Sequence, residues 1–244
     1  MFDPLKIKNE IIDWIRGYFE QNGKDCNAIV GISGGKDSSV VTALCVQALG
    51  ARRVTGVLMP RGEQHDIAYS KELAGILGIK HKIINIKDTV NQLLSEIEKS
   101  GMTANKQAVI NTPARIRMTI LYAVSAIENG RVANTCNLSE DWVGYSTKYG
   151  DSAGDFSPIS SLTVTEVKLI GNELNLPQKF INKVPEDGLS GLSDEENLGF
   201  TYDTLDKYIR EGICDDTAVK EKIDRLHLLN KHKLELIPSY KIII

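Results

Sequence analysis

Apolar residues recur at helical spacing near the start of the chain. Leu5, Ile7, Ile11, Ile12, Ile15 and Phe19 predict an amphipathic helix over residues 4–21. The pattern then changes to short continuous apolar runs. Ala28-Ile29-Val30-Gly31-Ile32 predicts a buried strand over 28–32, and a helix over 38–49 follows, ended by Gly50. Val54 to Met59 predicts a second strand, halted by Pro60, and a helix over 64–77 ends at Gly78. Residues 81–86 predict a third strand, 88–99 and 105–128 two helices, and 131–134 a fourth strand. This alternation of strand and helix predicts an α/β fold with a parallel sheet flanked by helices on both faces, Rossmann-like in outline.

The second half reads differently. Residues 144–161 are loop-rich, a helix is predicted over 163–174, and residues 184–199 are polar and aperiodic, the composition of a lid or binding loop. Helices over 201–211 and 215–231 follow. No linker or repeat divides the chain. The expectation is one domain over 1–244, with the core sheet in about 28–160 and a helical and lid region in about 161–244.

Between the first strand and its helix lies Ser33-Gly34-Gly35-Lys36-Asp37-Ser38. Paired glycines let backbone approach a ligand closely, and N–H groups at a helix start favour phosphate. Ser33 and Ser38 add hydroxyls. An acid in an anion site, Asp37, makes sense beside a cation such as Mg²⁺. The loop is not a Walker A motif, because Val30 stands where the first glycine belongs and Asp37 replaces the Ser/Thr. It is similar to the pyrophosphate loop of ATP pyrophosphatases. In a parallel sheet, ligands bind at the carboxyl ends of strands. Met59 and Arg61, and Thr135 and Asn137, end strands two and four, so three segments converge there with the loop.

Composition narrows the partners. The chain has 244 residues, 42% apolar and 25% charged, with a net charge of −3. No general basic field attracts nucleic acid. Four scattered cysteines, Cys26, Cys45, Cys136 and Cys214, read as reduced thiols of a cytoplasmic protein. The first residues lack a signal-peptide pattern, and no apolar run approaches ~18 residues.

Two further clusters carry a resemblance: Asn111-Thr112-Pro113-Ala114-Arg115-Ile116-Arg117-Met118, and Asn134 to Glu140 running on to Gly144-Tyr145-Ser146-Thr147-Lys148-Tyr149-Gly150-Asp151 and Asp155. With the glycine loop these resemble the ammonia-dependent NAD synthetases, over about residues 28–236. That family implies ATP-dependent adenylation of deamido-NAD, then attack by ammonia, giving NAD, AMP and pyrophosphate. On this resemblance Gly31, Ile32, Ser33, Gly34, Gly35, Lys36, Asp37 and Ser38 would cradle ATP phosphates, with Thr135 bonding ATP. Asp37 and Glu140 would be the catalytic acids and share Mg²⁺. Arg115, Lys148, Asp155, His232 and Lys233 would contact deamido-NAD. The family also implies a homodimer and, with no glutaminase region before residue 28, ammonia that is free or supplied by a partner.

The chain departs from the family at two places. Val164 stands where many members carry a phosphate-contacting lysine, and Glu186 where they carry threonine or serine; Lys168 or Lys183 are the candidate substitutes. Rival readings are a tRNA-modifying adenylating enzyme, which calls for a basic domain or clustered cysteines, and a nucleotide-binding protein without catalysis, which needs no acid pair.

Overall fold

A computed structural model describes residues 2–63, 67–183 and 193–242. The first helix, α1 (Pro4–Asn22), starts where the Asp3 side chain accepts the Lys6 N–H and Pro4 needs no partner for its nitrogen. Its Ile12, Ile15 and Phe19 are buried, while Leu5 is exposed.

Four parallel strands make the sheet: β1 (Asn27–Gly31), β2 (Val54–Leu58), β3 (Lys80–Ile83) and β4 (Gly130–Ala133), in the order β3-β2-β1-β4. Val30 lies opposite Gly56 on one side and Ala133 on the other. Alternate residues face opposite layers. Ala28 and Val30 pack in one apolar cluster with α1, α2 (Lys36–Leu49) and α7 (Val164–Glu173), whereas Ile29, Val57 and Val132 pack against α5 (Lys106–Ile127). The helices therefore cover both faces, as the sequence predicts. Strand order reverses between β1 and its neighbour β4, so the connections leaving them diverge and open a crevice at their carboxyl ends.

Other elements differ from expectation for local reasons. The third strand ends at Ile83, not residue 86. Ile84 and Ile86 still donate to Leu58 and Pro60 carbonyls, but Ile86 has helical angles and leads into α4 (Lys87–Lys99). The helix α3 spans Ile67–Ile76; the expected start at residue 64 lies outside the described residues. Three short helices are unexpected: α6 (Leu138–Trp142) and α8 (Gln178–Ile181), where the sequence predicts no element, and α9 (Asp194–Leu198), inside the aperiodic stretch. The stretch read as an aperiodic lid is thus helical at its end, where Ser193 and Glu196 form a capping box. Residues 184–192, with Glu186, lie outside the described residues. The last helices, α10 (Tyr202–Glu211) and α11 (Thr217–Leu234), build a second apolar cluster with α6 and α9, including Val143, Leu198, Leu205 and Ile223.

Candidate functional site

The glycine loop leaves β1 and enters α2 at the head of the crevice. Gly34 has φ +79°, and a Cβ there would stand 3.0 Å from Tyr69 Cβ and 3.1 Å from Ser70 Oγ. Glycine is required on both counts. The Ser33 hydroxyl accepts the Gly35 N–H at 3.2 Å and lies 3.1 Å from the Ser38 hydroxyl, which pins the turn. Gly35 is the N-cap of α2 and offers no side-chain cap. The first turn of that helix is therefore left to an external anion.

Beside it stands a buried charge cluster. The Lys36 ammonium donates to Asp37 Oδ2 at 2.8 Å and lies 3.6 Å from Glu140 Oε1. Its side chain is only 2% exposed. Burial lowers the pKa of this ammonium, but the charges of Asp37 and Glu140 outweigh burial and hold it above its usual range. Burial, reinforced by the Asp37 charge, pushes the Glu140 carboxyl upward, and Lys36 opposes that shift.

One asparagine organises the acids. The Asn137 side chain accepts the Glu140 N–H at 3.0 Å, which caps α6, and donates to Asp37 Oδ1 at 3.0 Å. A buried amide thus fixes both the helix that carries Glu140 and the carboxylate facing it. Behind α6, the Ser139 hydroxyl donates to Asp206 on α10 and accepts the Val164 N–H at 3.1 Å. Asp206 also accepts the Thr165 N–H at 2.7 Å. Arg210 donates through Nε to Glu166 at 2.8 Å and bonds the Ser161 carbonyl at 2.7 Å, tying α10 to the first turn of α7.

The crevice has a volume of about 1190 Å³. Its walls include Gly31, Ser33, Lys36, Asp37 and Thr135, so the loop and the end of β4 converge as expected. Lys233 also faces it, donating to the Gly144 and Ser146 carbonyls at 2.7 and 3.0 Å. Glu140 is not part of the wall and meets it through Lys36. Arg115, Lys148 and His232 do not line the crevice; Arg115 donates to the Lys148 carbonyl at 3.3 Å, and Lys148 to the His232 carbonyl. They form a linked surface group beside Lys233. Asp155 is placed elsewhere. Its carboxylate accepts the Val132 N–H at 2.7 Å and the Tyr122 hydroxyl at 3.3 Å, and it borders a separate depression of about 360 Å³.

Val164 is buried at the start of α7 in an apolar cluster, so no phosphate contact arises from it. Of the two candidate substitutes, Lys183 lines the crevice and Lys168 does not. Sequence reasoning places Asn137 at the crevice and Arg117 and Asp151 in the motif clusters, but gives none of them a chemical role. The spacing Asn137 to Glu140 is a helix-capping signal, legible in advance. Arg117 donates to the Met59 carbonyl at 3.1 Å from the crevice wall, and burial lowers its pKa. Asp151 accepts the Thr147 N–H at 3.0 Å, and burial raises its carboxyl pKa.

A cation already stands between the proposed metal-binding acids, namely the Lys36 ammonium. Hard carboxylate oxygens that hold an ammonium at this spacing fit Mg²⁺ as well. Among the described residues no group of three or more acid, histidine or cysteine side chains is placed to hold a metal, although the charge of the buried Asp194 reaches both Lys36 and Glu140.

Comparison with known proteins gives a consistent picture. A family model described as NAD synthase matches residues 7–241. The NH(3)-dependent NAD(+) synthetase of Methanocaldococcus jannaschii is 40% identical over 251 residues, covering 96% of this chain and 97% of the relative. The protein of that name from Pyrococcus horikoshii is 34% identical over 260 residues, covering 100% and 98%. Among solved structures, an NMN synthetase from Francisella tularensis superposes with a TM-score of 0.91 at 28% identity, covering 99% of this chain and 100% of that one. The NH3-dependent NAD synthetase from Campylobacter jejuni gives 0.80 at 28% identity with the same coverage.

Proposed function

The chain belongs to the NAD synthase family, and from that premise we propose that it is a ligase amidating deamido-NAD to NAD with ATP and ammonia. The observation that carries the reading is the Lys36–Asp37–Glu140 cluster, a buried ammonium between two part-buried acids, beside an uncapped helix start on one crevice. A protein that only holds a nucleotide has no need of such an acid pair.

The first step joins a carboxylate oxygen of the nicotinate to the α-phosphorus of ATP and expels pyrophosphate. The loop from Gly31 to Ser38 holds the departing phosphates, since the α2 N–H groups point where negative charge accumulates. Thr135, across the crevice, holds the other end of ATP. In the second step ammonia attacks the acyl carbon, the bond to the adenylate oxygen breaks, AMP leaves and one proton is lost to solvent. Positioning dominates both steps, because both reactants are bound nucleotides. Asp37 and Glu140 would hold Mg²⁺, which when bound neutralises phosphate charge.

Lys233 faces the crevice, and Arg115, Lys148 and His232 group beside it; we assign these side chains to the dinucleotide phosphates and ribose. Asp155 would serve the same substrate from the separate depression that it borders. The chain acts as one domain and as a homodimer in the cytoplasm. Leu236, Ile237 and Tyr240 after α11 are exposed apolar residues suited to a dimer contact. No helix among the described residues is long and apolar enough to cross a membrane.

A second reading, a mononucleotide substrate, is favoured by one observation, the TM-score of 0.91 with the NMN synthetase. The test is amidation measured with ATP, Mg²⁺ and ammonium on deamido-NAD and on nicotinate mononucleotide. A higher kcat/KM on deamido-NAD is expected. Preference for the mononucleotide establishes the second reading, and no amide from either refutes both.

A further inference from the structure

Lys36 is a member of the loop by sequence, yet its ammonium is engaged by carboxylates. It is buried between two carboxylates, 2.8 Å from Asp37 Oδ2 and 3.6 Å from Glu140 Oε1, with the Tyr202 ring centroid 5.7 Å away. Two part-buried carboxylates this close together are costly without a counter-charge. Asn137 supplies a neutral hydrogen bond to Asp37 but no charge. Lys36 is therefore what balances the pair, together with the charge of the buried Asp194, which it also feels.

A divalent ion on the same oxygens would meet this ammonium at a few ångströms. Like charges so close repel strongly in a poorly solvated site. The repulsion is relieved if the ammonium gains an anionic neighbour when the metal arrives. Lys36 lines the crevice at the start of α2, so phosphate on the loop is within its surroundings.

We propose that Lys36 is a resident counter-cation of the Asp37–Glu140 pair, displaced toward the nucleotide phosphates when a divalent metal loads, so that metal enters with the nucleotide and not before it. This rests on the reading of Asp37 and Glu140 as metal ligands. Lys36 is then a positioning residue that couples two binding events. Coupling of this kind is a ratio of affinities and is reciprocal.

The test is Mn²⁺ binding, followed by electron paramagnetic resonance and calorimetry on the whole chain. Titrations are run with and without a non-hydrolysable ATP analogue. The wild type is expected to bind Mn²⁺ weakly alone and far more tightly with the analogue. Lys36→Gln is expected to bind Mn²⁺ alone roughly tenfold or more tightly than wild type, with the dependence on nucleotide reduced. Its Tm should rise roughly 5 °C or more at saturating Mn²⁺, while that of the nucleotide-free wild type stays still. The double variant with Glu140→Gln should lose this gain.

Lys36→Met serves as a second variant. If either protein folds only with Mn²⁺ present, that outcome supports the proposal. Equal Mn²⁺ affinity in wild type and variant overturns it, as does failure of both variants to fold with Mn²⁺ present. If Mn²⁺ binds wild type only with nucleotide and Lys36→Gln changes nothing, the metal ligands stand and Lys36 has no coupling role. If no form binds Mn²⁺ under any condition, the reading of Asp37 and Glu140 falls instead.

Discussion

Asp206 provides a severe test of how the site is held. It lies on α10, 5% exposed, and touches no crevice residue that the reaction needs. Its carboxylate accepts from the Ser139 hydroxyl on α6 and from the Thr165 N–H in the first turn of α7. Ser139 in turn accepts the Val164 N–H at 3.1 Å. Asp206→Ala therefore leaves one buried donor, the Ser139 hydroxyl, and one part-buried donor, the Thr165 N–H, without an acceptor. Each hydrogen bond to a charged group contributes about 1.5–3 kcal/mol. The anion at the α7 N-terminus adds about 0.3–1 kcal/mol. Together these terms reach about 3–7 kcal/mol, and because water replaces part of the bond to the exposed Thr165 the expected loss is about 3–5 kcal/mol, read by urea unfolding followed by circular dichroism. In a chain of this size that lowers Tm by roughly 6–20 °C. Lys207→Ala, an exposed position on the same helix, is the control and should stay within about 0.5 kcal/mol. Because α6 carries Glu140, adenylation should also fall in the folded fraction of Asp206→Ala. A loss under about 1 kcal/mol would show that α6 is held by apolar packing alone and refute the reasoning.

Gly154→Ala should cost about 1–3 kcal/mol, since a Cβ there would lie 2.8 Å from the Asn134 backbone nitrogen, and should raise the KM for ATP through neighbouring Thr135. Gly17→Ala, on α1 with nothing within 4 Å of its Cβ, should instead stabilise by about 0.5–1 kcal/mol; thermal melts of the pair separate the two outcomes. Burial raises the Asp151 pKa in the native state, so the native chain binds protons more strongly than the unfolded one and stability falls as pH rises above the unfolded value. Asp151→Asn should flatten that fall in urea titrations from about pH 4 upward and gain stability at neutral pH. Asp37→Asn and Glu140→Gln should abolish adenylation yet keep the native circular dichroism spectrum; full activity of either at ordinary Mg²⁺ counts against the metal assignment.

Sequence periodicity reveals the elements whose burial is regular. The α1 stripe and the apolar run of β1 announce themselves, and the glycine pair after β1 locates the loop. The five-residue helices α6 and α9 escape periodicity because less than two turns of helix show none; their signal lies in the caps, Asn137 with Glu140 and Ser193 with Glu196. The early end of β3 is a tertiary effect, set by the helical angles of Ile86 beneath Pro60. Within the site, the acids are legible as loop and strand-end residues. The Lys36–Glu140 contact joins distant parts of the chain and has no local pattern. Asp155 shows the converse. Its place in the motif suggests a ligand contact, yet in the fold its carboxylate is occupied by the Val132 N–H and the Tyr122 hydroxyl. The buried Val164 shares an apolar cluster with Leu198 and Leu205, which explains why an apolar residue suits that position.

The most direct test of the central claim is isotope exchange between pyrophosphate and ATP with no ammonium present. Reversible adenylation exchanges label into ATP only when the acid substrate is bound. Exchange that requires deamido-NAD and Mg²⁺, and that gives way to net NAD formation once ammonium is added, is the expected result. Exchange that ignores deamido-NAD, or its absence from a folded protein that binds both nucleotides, would contradict the account.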